Sequence, residues 1–267
     1  MPLHLNRTLA KAVSESSRPL FGGWVTTGSP VAAEIMAGSG LDWVLIDMEH
    51  APNGLESVLA QLYAVSGYQV TPVVRVPVGE SVVIKQVLDL GAQTILVPMI
   101  STAEQARDVA AAAQYPPLGR RGVGSALARS ARWNRVDGYL STAAEHVSVF
   151  VQIETVEGVE NASAIADTPG IDGVFVGPSD LAASMGLLGQ QNHPDVTAAV
   201  NKTFERVIAS GKPVGVNAFV ATQADGYAAS GASFLLVGAD AAILARGSEA
   251  LAERFITAPN GQTPDSY

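Results

Sequence analysis

Eight short apolar runs, each followed by a helix-spaced segment, in a chain of 267 residues predict an α/β fold, a closed (β/α)8 TIM barrel. The runs are continuously apolar rather than alternating, as in WVLI, PVVRV and VSVFVQI. That pattern suits parallel strands covered on both faces. Repeated strand-then-helix order implies right-handed crossovers. Eight units favour closure over an open doubly wound sheet, and no G-x-G-x-x-G follows the first run.

The strands are expected at residues 20–26, 43–46, 71–75, 94–98, 147–154, 173–176, 213–217 and 234–237. Helical spacing of Ala, Leu and Val places helices at 31–38, 55–66, 82–90, 103–113, 158–166, 195–210, 221–229 and 241–254. Residues 1–267 read as one barrel domain with a short N-terminal segment and a polar tail, TAPNGQTPDSY, that is expected to fray or lie on a partner. One connection is long. Residues 115–138 join the fourth helix to the fifth strand and carry Arg120, Arg121, Arg129, Arg132 and Arg135. A loop of this length in a compact domain has a job. Two fit: packing against a neighbouring subunit, or binding an anionic substrate.

Composition narrows the function. Hydrophobic residues make up 48% and charged residues 15%, enough for a large core. A net charge of −9 argues against nucleic acid and anionic membrane as partners. The absence of cysteine excludes disulfides, thiolate metal sites and a cysteine nucleophile. The N-terminus lacks the apolar run of a signal peptide, and no stretch reads as a membrane span. A cytoplasmic protein is the expectation.

In such a barrel the reacting groups sit at the C-terminal ends of the strands. The second strand runs into Asp47-Met48-Glu49-His50 and the third ends at Arg75. The fifth ends in Gln152-Ile153-Glu154, the sixth runs into Gly177-Pro178-Ser179-Asp180, and the seventh ends near Asn217. Glu154 and Asp180 follow neighbouring strands, and two such carboxylates suit a hard divalent cation with sites left for water and substrate. Each alone is equally a surface carboxylate, and Asp180 also suits the start of a short helix. The pair, joined by His50 and Arg75, favours a site. Backbone N–H groups of Ser179 and Asp180 at a helix start suit a substrate carboxylate.

Of the four histidines, His4 lies in the N-terminal segment, His146 precedes the fifth strand and His193 precedes the sixth helix. Only His50 follows a strand end, where a general base belongs. The lysines are informative by position. Lys85 and Lys202 fall on helices, Lys11 precedes the barrel and Lys212 precedes the seventh strand. A Schiff-base mechanism needs a lysine in the barrel mouth, so carbanion chemistry here would need a metal.

The string D-x-E-H, the PVVR strand, LVPM, the YPP-x-G-x-RGVGSALAR loop, QIET and GPSDL together resemble the class II pyruvate aldolases of the 4-hydroxy-2-oxoheptanedioate aldolase family, with the 2-dehydro-3-deoxyglucarate aldolases as relatives. The resemblance runs in order from Gly22 to about Arg254. It implies that Glu154 and Asp180 bind a divalent cation: Mg²⁺, Mn²⁺ or a relative such as Co²⁺ or Zn²⁺. Pyruvate or another 2-oxo acid would chelate that cation through its carboxylate and keto oxygens, with the carboxylate held by the backbone of Ser179 and Asp180. Arg75 would contact the keto oxygen, and His50 would move protons with a water on the metal. Asp89 would reach across from a neighbouring subunit to pair with His50. Arg121, Val123 and Ser125 would border the aldehyde. The family's members are homo-hexamers that exchange the last helix. This chain departs from the pattern at Asn217, where the best-known members carry an apolar residue, and a polar side chain there bears on the aldehyde.

The chemistry implied is cleavage or formation of a C–C bond between a 2-oxo acid enolate and an aldehyde, interconverting 4-hydroxy-2-oxo acids. A Lewis acid and a fixed positive charge stabilise the enolate oxygen. Metal-enolate chemistry also serves citrate-lyase-like lyases and oxaloacetate-type decarboxylases. A barrel that only binds a 2-oxo acid is the reading from another class.

Overall fold

The apolar runs become strands because closing the barrel covers them on both sides. The computed structural model describes residues 5–257. In it β1 (Leu20–Val25), β2 (Trp43–Asp47), β3 (Thr71–Arg75), β4 (Thr94–Val97), β5 (Ser148–Ile153), β6 (Gly173–Val176), β7 (Val214–Asn217) and β8 (Phe234–Ala239) form one closed barrel in chain order. All the pairings are parallel, and β8 returns to β1. β2, β3 and β5 are buried along their whole length, which accounts for their unbroken apolar character.

Helices alternate with these strands. α1 (Leu9–Glu15) precedes β1, and α2 (Pro30–Gly38), α3 (Leu55–Val65), α4 (Ser81–Asp89) and α5 (Ala103–Ala113) follow β1 to β4 in turn. α6 (Tyr139–Thr142) is a single turn before β5. α7 (Val156–Glu160) and α8 (Ala162–Ala166) follow β5, α9 (Pro178–Ser184) and α10 (Pro194–Ala209) follow β6, α11 (Ala221–Ala229) follows β7, and α12 (Asp240–Ala252) follows β8. No helix among the described residues is long and apolar enough to cross a membrane.

The structure corrects the expected helix at 158–166. It starts earlier, at Val156, where Thr155 accepts a hydrogen bond from the Gly158 N–H. It then breaks at Asn161, whose side chain donates to the Ser101 carbonyl 2.8 Å away. Helix α1 was not expected. Thr8 caps it by accepting from the Lys11 N–H, and the Leu9 N–H donates to Thr94 Oγ1 at 2.9 Å. Leu9 and Ala12 close the N-terminal end of the barrel against its interior cluster. The last helix, expected at 241–254, ends at Ala252 and runs into a π-turn at Glu253–Thr257. Past Thr257 the polar tail lies outside the described residues, as does His4.

The barrel interior is filled by large rings: Trp24, Trp43, Phe150, Phe175 and Phe234. Room for them comes from Gly22, Gly173 and Gly215. A Cβ at Gly215 would meet the Phe234 ring and lie 2.5 Å from the Phe234 carbonyl oxygen. The strand backbone has no freedom to yield there. Gly215→Ala is therefore expected to destabilise the fold by about 1–3 kcal/mol, read as a lower thermal or denaturant midpoint. An unchanged midpoint would contradict the packing described.

Candidate active site

Two neighbouring strands bring the first pair of charges together. Asp47 and Arg75 end β2 and β3 and are register partners. Arg75 Nε and Nη2 each donate to an Asp47 carboxylate oxygen at 2.8 Å. Arg75 Nη1 lies 2.7 Å from Glu49 Oε2. The backbone N–H groups of Glu49 and His50 donate to the same Asp47 carboxylate, at 3.0 and 3.3 Å. Asp47 thus orients the guanidinium and turns the chain that carries Glu49 and His50. Both partners are buried, so removing Arg75 leaves Asp47 without its ionic partner, and removing Asp47 leaves Arg75 with Glu49 alone.

One face of Arg75 is closed by an aromatic ring. The guanidinium carbon stands 4.4 Å from the centroid of Trp24 on β1. The Trp24 indole N–H donates to Asn217 Oδ1 at 2.8 Å. Asn217, at the end of β7, therefore fixes the ring that backs Arg75. An indole N–H is donor-only, so it requires the amide oxygen of Asn217 and turns the NH2 group away.

Glu154 follows β5 and is buried. Its Oε1 accepts from the Met99 N–H at 2.7 Å, and its Oε2 accepts from the Gln152 side chain. Met99 adopts a left-handed backbone, φ 58°, to aim that N–H. A Cβ at Gly177, just past β6, would lie 2.6 Å from Glu154 Oε2 and 2.9 Å from Gln152 Nε2, so a side chain there would displace this hydrogen-bonded pair. Burial pushes the Glu154 carboxyl up to about 7, with the charges of Asp180 and Glu49 adding to the rise against the two hydrogen bonds. Burial also raises Glu49, opposed by Arg75. Ser179 and Asp180 lie exposed in the first turn of α9. Their N–H groups have no intrahelical acceptor.

His50 is the loosest member. Its side chain is 65% exposed, and its ring nitrogen stands 3.9 Å from Glu49. The other histidines are elsewhere: His146 stacks on Tyr139 before β5, and His193 caps α10. All four lysines lie away from the mouth, with Lys202 on Glu160, Lys212 on the Ile171 carbonyl, Lys11 beside Glu15 and Lys85 within α4.

The structure brings His50, Arg75, Glu154, Ser179, Asp180 and Asn217 to one rim. It does not bring Asp89, Arg121, Val123 or Ser125 there. Asp89 ends α4, and Arg121 is fully buried against it, with Nη2 donating to Asp89 Oδ1 at 2.7 Å. Nearby, Arg120 reaches Ser81 and Asp108, and Arg129 reaches the Leu90 carbonyl. The long loop therefore lies along the outside of α4 and α5, with Val123 exposed and Ser125 buried.

Residues 20–246 match the model of a family described as HpcH/HpaI aldolase/citrate lyase. The chain belongs to this family. It is 49% identical over 245 residues to a 4-hydroxy-2-oxo-heptane-1,7-dioate aldolase of Salmonella dublin, covering 92% of this chain and 93% of the relative. A solved HpcH/HpaI aldolase/citrate lyase family protein from Burkholderia cenocepacia J2315 superposes with a TM-score of 0.88 at 38% identity, over 92% and 98% of the two chains. Citrate synthase SbnG superposes with a TM-score of 0.82 at 29% identity, over 92% and 97%. The protein is an enzyme, an aldehyde-lyase.

Sequence reasoning gave no role to Asp47, Glu49, Trp24, Gln152 or Met99. A signal for Asp47 was present: opposite charges at matching ends of adjacent parallel strands are within reach of each other. Asp47→Ala is expected to lower kcat for aldol cleavage at least tenfold. It should also cost about 1–3 kcal/mol of stability, because buried Arg75 loses both hydrogen bonds to Asp47 and keeps only Glu49, read by calorimetry beside the rate. A variant with wild-type turnover would show that Arg75 needs no such anchor.

Proposed function

We propose that the protein cleaves and forms 4-hydroxy-2-oxo acids through the enolate of pyruvate or a similar 2-oxo acid, with a divalent cation held by Glu154 and Asp180. The observation that carries this reading is a guanidinium locked beside buried carboxylates in a mouth that holds no lysine. Carboxylate charges that raise the proton affinity of Glu154, as those of Asp180 and Glu49 do, suit a cation. Among the described residues no three acidic or histidine side chains close on one point. Two carboxylate ligands leave the remaining positions to substrate oxygens and water, as hard cations of the Mg²⁺ and Mn²⁺ kind accept. When bound, the cation supplies Lewis-acid polarisation of the keto oxygen.

The chain's own groups do the rest. Arg75 has five N–H donors, of which Nε and Nη2 each commit one to Asp47, while Nη1 is ion-paired with Glu49 at 2.7 Å and spends at most one more there. Two remain for the oxygen on which enolate charge develops. They act from a fixed position beneath Trp24, so no reorganisation is needed as charge builds. The first-turn N–H groups of Ser179 and Asp180 offer donors to the substrate carboxylate. His50, exposed at the rim, exchanges the proton with the methyl carbon or the aldol hydroxyl. Asn217 presents its NH2 group toward the aldehyde, where an apolar side chain would present none.

The rest of the site comes from other copies. Asp89 and the loop bearing Arg121, Val123 and Ser125 lie on the outer surface, so they complete the rim of a neighbouring subunit, where Asp89 pairs with His50. Helix α12 supports a homo-oligomer, a hexamer in our reading, with this helix exchanged. Apart from Asp240 it buries none of its residues and exposes Ile243, Leu244 and Leu251. Its first turns form an apolar groove with Ala32, Ile35 and Met36 of α2. An exposed apolar helix of 13 residues needs a partner surface.

Likeness to a citrate synthase keeps related metal-enolate chemistry as the second reading. Product analysis with pyruvate plus an aldehyde panel, against oxaloacetate and acyl-CoA, separates the two. In the metal-loaded protein pyruvate methyl protons should exchange with solvent deuterium, and a chelator should stop the exchange. Absence of exchange would leave only a binding barrel. Arg75→Ala, checked beside Arg75→Lys, should lower kcat by about 10²–10³ while calorimetry still records metal binding. Full aldol activity in Arg75→Ala would overturn the role given to Arg75.

A further inference from the structure

We propose that Arg121 is a positioning residue for proton transfer, holding Asp89 so that its second oxygen faces the partner subunit's His50. The inference rests on the reading of Asp89 above and adds to it a residue with another role. Three features of the structure carry it.

First, Arg121 is a poor structural anchor. Its side chain is completely buried, yet its one hydrogen bond goes to Asp89, and Nε and Nη1 have no partner among the described residues. The ring of Tyr115 covers it, with the guanidinium carbon 4.6 Å from the centroid. A buried guanidinium with a single ionic partner contributes little to folding. Second, Asp89 is locally misplaced. It is the last residue of α4, where the helix dipole disfavours an acid. Two unfavourable placements that offset each other mark a functional arrangement more often than a structural one.

Third, the geometry leaves Asp89 half used. Arg121 takes Oδ1, and no group among the described residues donates to Oδ2. Beside Oδ2 lies Gly124, where a Cβ would stand 3.5 Å away. Asp89 opens into a groove of about 450 Å³ that it shares with Leu59, Tyr63, Leu127 and Trp133. Leu127, Tyr63 and Trp133 are exposed in the single chain, as a surface awaiting a second copy would be. On this chain's own rim, His50 is exposed, and its nearest carboxylate, Glu49, stands 3.9 Å away, beyond hydrogen-bond distance. Each copy thus carries a carboxylate fixed by Arg121 on one surface and an unanchored imidazole on another.

The test uses His50→Ala, Asp89→Asn and Arg121→Gln, singly and as mixed oligomers assembled by co-expression with two affinity tags. Each single variant should lower kcat at least tenfold, with KM for pyruvate within about twofold of wild type. Mixing His50→Ala with Arg121→Gln chains should restore roughly a quarter of the sites, since each site takes its histidine from one copy and its arginine from the next. Mixing Arg121→Gln with Asp89→Asn should restore nothing, because both disable the same half. In one chain, adding Arg121→Gln to Asp89→Asn should cost no further activity, whereas a merely structural arginine would add its own loss. Should Arg121→Gln fail to assemble, Arg121→Lys, which keeps the charge but loses the fork, takes its place in every arm. Recovery with Asp89→Asn plus His50→Ala but not with the Arg121 variant would overturn this proposal and leave the reading of Asp89 standing. No recovery in either mixture would overturn both.

Discussion

The buried pair of Asp47 and Arg75 is the constraint on which the mouth of this barrel depends. A guanidinium taken out of water needs a carboxylate at fixed distance, and the parallel register of β2 and β3 provides one. Everything near it then follows. The same Asp47 carboxylate gathers the N–H groups of Glu49 and His50, so the turn after β2 is shaped by the ion pair rather than by its own sequence. Trp24 lies on the remaining face of Arg75 and is pinned in turn by Asn217. Ends of β1, β2, β3 and β7 are thereby tied through one cation. A closed barrel is what allows this, because it brings β7 round to β1 by way of β8.

Most of the strands could be read from the sequence because burial on both faces leaves an unbroken apolar run. The rim residues could be read because a (β/α)8 barrel puts strand ends at the reacting face. What could not be read were the contacts that depend on register and on loop paths. Asp47 stood in the quoted string, yet its pairing with Arg75 shows only once β2 and β3 are aligned. Asn161 breaks the helix after β5 through a bond to Ser101, 60 residues away in sequence, and no local periodicity reports that. Helix α1 was missed because Thr8 and Leu9 look like an ordinary leader until Thr94 is placed beside them. The arginine loop was the largest gap. Its residues suggested an anionic substrate or a subunit contact, and its path along α4 and α5 favours the second.

That path bears on why one chain looks unfinished. A barrel covers its strands with eight helices, but here the last one turns most of its residues to solvent. Its apolar side chains, the groove beside α2 and the exposed residues around Asp89 are separate surfaces with the same deficiency. A monomer that exposed all of them would be prone to aggregate. The closed oligomer proposed above would resolve the difficulty by letting one copy's outer surface cover the next copy's rim. In the oligomer proposed above, the active site would be a property of the interface, and stability and catalysis would be linked through the same contacts.

Charge decides the remaining question of how such a mouth receives its substrate. Asp47 and Glu49 pair with the single guanidinium of Arg75, and Glu154 and Asp180 add two further carboxylates to the mouth. A 2-oxo acid is itself an anion, and an uncompensated mouth of this kind would repel it. Raising the proton affinity of Glu154 relieves part of the repulsion but removes a ligand charge at the same time. A lysine would relieve it and also supply covalent chemistry, but each lysine in this chain is committed elsewhere or sits on an outer helix. The divalent cation proposed for Glu154 and Asp180 would meet both needs, offsetting the acid cluster and attracting the substrate's oxygens. On that reading the acidic mouth accepts an anionic substrate by way of the cation, and binding and enolate stabilisation would depend on the same charge.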